Sequence, residues 1–207
     1  RTFKILNYQN FDVYIPNRFK GGYGLTKDKI EKMHQRKTQL VITLDCGITD
    51  SEEVALAKKL GMEVIIFDHH LIGAHPPEAL IVNPWQKDDR YPFKDLVASG
   101  ISYKLAMFLL ETNHHPLKPI FEKQFLDLVA IATIADVAPL IDENRIFVSE
   151  GLKQLVKTQN IGLRKLLEIA GLNLKTKLDP YHVGFIIAPR LNAVGRIEHQ
   201  VDNNFEE

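Results

Sequence analysis

Three apolar runs set the pattern of the first hundred residues: QLVITLD at 39–45, MEVIIFD at 62–68 and ALIVN at 79–83. They are nearly continuous rather than alternating, so each predicts a strand buried on both faces. Amphipathic stretches flank them. TKDKIEKMHQR (26–36) opens on Thr26, a candidate N-cap, and SEEVALAKKLG (51–61) has Ser51 as N-cap, acids in its first turn, lysines in its last and Gly61 at its stop. FDVYIP (11–16) predicts a further short strand ended by Pro16, and NRFKGGYGL (17–25) an exposed basic loop. Buried strands alternating with helices argue for an α/β fold, a parallel sheet flanked by helices on both faces. From about residue 96 the period becomes helical throughout, over 97–112, 117–135, 144–157, 161–170 and 179–188, with LNLKTKLDP (172–180) as a connector. The chain therefore reads as an α/β half followed by a helical half, without internal repeats.

Composition narrows this picture modestly. A chain of 207 residues, 45% hydrophobic and 25% charged, is that of a soluble globular protein with one sizeable core. The formal net charge is zero, so no global field holds it on nucleic acid or an anionic membrane, and any polyanion site is local. A single cysteine, Cys46, excludes an internal disulfide framework and a thiolate-rich zinc site, and fits a reducing cytoplasm. Apolar runs such as LVAIATIA (128–135) fall well short of the roughly 20 residues of a membrane span. No signal-peptide pattern opens the chain, so no export and no membrane association are expected. The first residue is Arg1, and the last string, VDNNFEE, carries no stop-like cap, which predicts a fragment.

Candidate chemistry gathers at the ends of the buried runs. In an open parallel sheet, ligands bind beyond the carboxyl ends of the strands. Asp45 ends one predicted strand, and Asp68, His69 and His70 end the next, which brings these groups to one crevice. Carboxylate oxygen with imidazole nitrogen and no thiolate suits Mn²⁺ or Mg²⁺ before Zn²⁺ or Fe²⁺, and Asp68 is the expected partner fixing the ring of His69. Taken alone, Asp45 also fits a cap or turn former, and a His pair fits a solvated loop, as in NHHP at 113–116. Asp136, after an apolar helix and before Val-Ala-Pro, is expected at the mouth of the core. Asp127, about two and a half turns earlier, does not share its face and reads as solvated or structural. Cys46 reads as a packing residue, and Trp85 as a loop side chain over a strand end. In GFIIAPRLNAVGRIEH, Arg190, Asn192 and Arg196 surround a small-residue turn; two guanidiniums there suit phosphate oxygens, though surface ion pairs explain them equally well.

Five strings in order, YIPNRFKGGYGL (14–25), VITLDCGITD (41–50), VIIFDHHLIG (64–73), IATIADVAPLIDENR (131–145) and IAPRLNAVGR (187–196), resemble the DHH phosphoesterase superfamily, in its branch of single-strand-specific 5′ to 3′ DNA exonucleases. The resemblance implies a two-ion Mn²⁺ or Mg²⁺ site that hydrolyses phosphodiesters in DNA repair and recombination. It implies Asp45, His69 and Asp136 as metal ligands, Asp68 as the orienting group, and His70 facing the substrate phosphate. Arg18, Arg190, Asn192 and Arg196 fall on segments that contact nucleic-acid phosphates in this family. Single-stranded DNA is the implied partner, with a helicase and a single-strand-binding protein as further ones. Residues 1–140 would form the phosphoesterase domain and 141–207 a helical extension. One departure stands out: the family's first motif, Asp-x-Asp-x-Asp-Gly, is absent from these residues, so the chain would hold part of each metal site and its own activity is in question. Two alternatives remain open: a phosphodiesterase for short oligoribonucleotides or cyclic dinucleotides, and a non-catalytic scaffold that keeps the fold.

Overall fold

The computed structural model describes residues 1–16, 23–172 and 177–194. Arg18, Arg196 and part of the 172–180 connector lie outside the described residues. The chain divides into two compact units, one of Asp12–Lys94 and one of Arg1–Phe11 with Asp95–Val194.

The Asp12–Lys94 unit is built on the three apolar runs. β1 (Leu40–Leu44), β2 (Glu63–Phe67) and β3 (Leu80–Val82) pair in parallel in the order β1-β2-β3, with Val41 opposite Val64 and Ile66 opposite Ile81. α2 (Lys27–Gln35) and α3 (Ser51–Lys59) supply Ile30, Met33, Val54 and Ala57 to the core against Val41, Val64 and Ile66. On alternate positions Leu40, Leu44 and Leu80 stay exposed, so this unit's own helices cover one face of the sheet. Gly61, at φ +82, ends α3 in the left-handed region that favours glycine. The caps differ from expectation. Thr26 makes no side-chain cap bond, and Asp50 rather than Ser51 precedes α3. Ser51 instead donates to the His75 carbonyl at 3.0 Å, while the Asp50 carboxylate accepts the Leu25 N–H at 2.7 Å. Residues 11–16 form no strand: Tyr14 packs on the core with the Lys29 ammonium 5.3 Å from its ring centroid, and Val13 is exposed. β propensity by itself does not make a strand; what the segment packs against decides.

The other unit is helical. α1 (Thr2–Ile5) packs with α4 (Ala98–Thr112), α5 (Lys118–Gln124) and Phe125 around Met107 and Leu110. The helix expected over 117–135 is two, α5 and α6 (Leu126–Ala135), separated by Phe125 alone. α6 is apolar and crosses α7 (Asp142–Leu155) closely. A Cβ on Gly151 would lie 2.2 Å from the Leu126 carbonyl oxygen and 2.4 Å from Ala130 Cβ, so only glycine permits this approach. Asp127 is buried; it accepts from Thr158 Oγ1 and from the Leu128 N–H at 2.7 Å, which makes it a tie to the turn after α7. α8 (Ile161–Ile169) is capped by Asn160, whose carboxamide oxygen accepts from Gly162 and Leu163. The last helix runs past its expected end. His182–Ile187 winds as a π-helix and α9 (Ala188–Val194) follows. Pro189 has no N–H for the α-type bond to the Phe185 carbonyl and would crowd it; a wider turn ahead of the proline accommodates both.

Gly151→Ala is expected to cost about 2–3 kcal/mol in urea denaturation, because backbone must move to admit the methyl. Gly162→Ala, where a Cβ meets only Asn160 Oδ1 at 3.4 Å, should be neutral or slightly stabilising.

Candidate metal centre

Each strand of the sheet is followed at once by a polar residue, Asp45 after β1, Asp68 after β2 and Asn83 after β3. The ladder still holds the first two: Asp45 donates its N–H to the Phe67 carbonyl at 2.9 Å and Asp68 to that of Val82 at 3.2 Å. Their side chains therefore start from fixed backbone at the carboxyl edge of the sheet.

Asp45 has φ +67, a left-handed conformation that aspartate and asparagine tolerate better than most L residues. Gly47, at φ +105, continues the turn, and a Cβ there would lie 2.7 Å from Thr43 Oγ1, which is buried without a hydrogen-bond partner among the described residues. The Asp45 carboxylate is half exposed and lies 3.1 Å from His69 Nε2. Tyr23 donates its hydroxyl to the Asp45 carbonyl and sets its ring edge-on to His70 at 6.4 Å. Burial, reinforced by the Asp45 carboxylate, raises the Tyr23 pKa, so the phenol stays a donor.

Asp68 is fully buried. One oxygen accepts the Ile48 N–H at 3.1 Å; the other accepts the N–H of His69 at 2.8 Å and of His70 at 3.2 Å and lies 2.6 Å from His70 Nδ1. Burial alone would raise its pKa, but the His70 ring and the three backbone donors outweigh that and hold the carboxyl below the usual range. Asp68 thus holds the ring of His70 and, in addition, the backbone N–H of His69. With Nδ1 donating to a carboxylate, His70 turns Nε2 outward as a lone-pair donor to a cation.

Asn83, absent from the sequence reading, is almost fully buried. It donates to the His70 carbonyl at 2.9 Å and accepts the Trp85 N–H at 2.9 Å, tying the backbone of the histidine pair to the loop after β3. Its signal lay in the pattern: it follows the third apolar run as Asp45 and Asp68 follow the others.

Asp45, His69 and His70 each offer a ligand atom, all within 4.8 Å of one another. Carboxylate and imidazole donors at this separation fit a divalent ion such as Mn²⁺. The Cys46 thiol beside them is pushed up to about 11, by burial first and then by Asp50, Asp68 and Asp45, so it is neither thiolate ligand nor nucleophile at neutral pH. Asp136 belongs to the other compact unit. It terminates α6, is exposed, and donates its N–H to the Ala132 carbonyl at 2.9 Å, with Val137 turning the chain at φ +56. Arg190 and Asn192 are exposed on α9 of that unit, and Arg190 Nη1 donates to the Ile186 carbonyl at 2.8 Å.

Asp68→Asn should cost about 2–3 kcal/mol in urea denaturation, because an amide cannot accept all the donors that converge there. A depressed folded-state pKa contributes stability above the unfolded value of about 3.9, lost as pH falls through the folded value. The difference between wild type and variant should therefore be full at pH 6 and shrink below about pH 4.

Residues 1–133 match the DHH family, N-terminal domain. The single-stranded-DNA-specific exonuclease RecJ of Bacillus subtilis is 44% identical over 188 residues, which cover 90% of this chain and 23% of that protein. RecJ of Escherichia coli is 37% identical over 202 residues, covering 93% and 35%. Among solved structures, exonuclease RecJ bound to manganese superposes with TM-score 0.76 at 37% identity, over 88% of this chain and 45% of that one. RecJ of Thermus thermophilus in complex with Mn²⁺ gives 0.69 at 35%, over 83% and 25%. The chain thus spans about a quarter to a third of the length of these curated relatives. With the family's N-terminal domain matched from Arg1 through α6, and its Asp-His-His string at the carboxyl edge of a parallel sheet, the chain belongs to the DHH family.

Proposed function

We propose that the chain is part of the catalytic core of a Mn²⁺- or Mg²⁺-dependent, single-strand-specific 5′ to 3′ DNA exonuclease of repair and recombination. The observation that carries this is the convergence of Asp45, His69 and His70 within 4.8 Å, in a chain 37% identical to a manganese-bound RecJ. Asp45, His69 and Asp136 are assigned as ligands. His70 either joins them through Nε2 or, when protonated, donates to a phosphate oxygen. A divalent ion held there supplies positive charge for the phosphodiester oxygens and acidifies water. The chain's own part is orientation: Asp68 locks the His70 ring, Asn83 and Tyr23 lock the backbone behind the donors, and Arg18, Arg190, Asn192 and Arg196 hold substrate phosphates. Residues 1–140 are assigned to the phosphoesterase domain and 141–207 to the extension. No helix among the described residues is long and apolar enough to cross a membrane. The reading adds a cytoplasmic location, with single-stranded DNA, a helicase and a single-strand-binding protein as partners.

The test is hydrolysis of labelled single-stranded DNA with Mn²⁺, by this chain and by a polypeptide extended to the relatives' length. Asp45→Asn keeps a residue that accepts the left-handed backbone and removes only the charge. It should lower Mn²⁺-dependent turnover at least about a hundredfold while leaving DNA binding in chelator unchanged. Unchanged turnover sinks the metal assignment. Cleavage confined to dinucleotides moves the reading to the oligoribonucleotide and cyclic-dinucleotide branch, and no cleavage even by the extended polypeptide favours the scaffold.

A further inference from the structure

Two aromatic rings with no role in the core stand on the π-helical segment. Tyr181 is 61% and Phe185 71% exposed, yet their rings stack at 4.9 Å between centroids and 29° between planes. His182 sets its ring edge-on to Tyr181 at 6.2 Å. Exposure by itself is ordinary, but two rings held against each other at the surface form one apolar face that a flat ligand can cover.

Three observations indicate what does. The first is location: a Cβ on Gly184 would lie 3.7 Å from Ile134 Cγ2, so the segment bearing the rings packs on the end of α6 that carries Asp136, within one compact unit. The second is charge. Between 177 and 194 the only carboxylate is Asp179, bonded to His182 Nδ1 at 2.6 Å, while Lys177 and Arg190 add positive charge. The third is the placement of that charge: the bond from Arg190 Nη1 to the Ile186 carbonyl brings the guanidinium back along the helix to the residue after Phe185. The other N–H donors of its fork suit a phosphate. Exposed, stacked rings on the same short segment as a guanidinium are a combination that suits single strands without regard to sequence: every base has a π-face, and every nucleotide a phosphate.

We infer that Tyr181 and Phe185 form a stacking platform for one or two unpaired bases of a single-stranded nucleic acid, with Arg190 taking an adjacent phosphate. The inference rests on the nuclease reading for the strand's path toward Asp136, but binding by itself needs no metal.

The experiment is fluorescence anisotropy in chelator with two strands of about 12 nucleotides, oligothymidylate and an abasic strand of equal length and charge. Tyr181→Ala and Phe185→Ala should each weaken oligothymidylate binding about tenfold and leave abasic binding within about twofold. Tyr181→Phe and Phe185→Tyr should retain wild-type affinity, and matched thermal melts would show that all four variants fold. Wild-type affinity equal for the two strands, unchanged oligothymidylate binding in the alanine variants, or equal losses on both strands overturns the platform. So does a dimer of this chain that the alanine variants abolish, since the rings would then cover each other. Absence of Mn²⁺-dependent hydrolysis by the polypeptide extended to the relatives' length, alongside base-dependent binding by this chain, would overturn the nuclease reading and leave the platform standing.

Discussion

A carboxylate with no exposure to water holds the carboxyl edge of the sheet together. Asp68 gathers the backbone N–H of Ile48, His69 and His70 and the Nδ1 of His70 onto its two oxygens. Burying that charge is unfavourable by itself, and only the full set of donors makes the ionised form the stable one. The consequence is geometric. The loop after β1 and the loop after β2 are tied to one point, so Asp45 and His69 are placed relative to each other before any ligand arrives. A site built from residues about twenty apart in sequence thereby costs little to organise at the moment of binding.

Around that point the supporting groups divide the work. Asn83 ties the His70 carbonyl to the β3 end, Tyr23 bonds the Asp45 carbonyl, and Gly47 lets the turn fold down onto Thr43. Asp45 itself sits in a left-handed conformation that the surrounding hydrogen bonds must maintain. Local strain at a strand end, held by buried polar contacts, is how a parallel sheet presents a side chain outward.

Much of this was legible in the sequence because it depends on period. The three apolar runs became the three strands, and the helical period after residue 96 became the α4 to α9 array. Two kinds of feature were not legible. One is pairing: 11–16 has the composition of a strand yet forms none, and composition carries no information about what a segment meets. The other is direction: nothing in Asp-His-His says that the aspartate takes the Nδ1 of the second ring together with both backbone N–H groups, because that follows from how the chain turns after β2. The extension of the last helix past Pro189 was not legible either. The proline forbids an α-type bond, but not a helix that widens before it.

The uncovered side of the sheet has a bearing of its own on the chain in solution. Among the described residues β1 and β3 are the edge strands, and Leu40, Leu44 and Leu80 lie exposed along them. An edge strand with exposed leucines beside it can act as a template for the strand of another molecule. Self-association through this edge would limit how concentrated the polypeptide can be kept, and a single lysine in place of Leu40, at the opposite end of β1 from Asp45, would act as a gatekeeper.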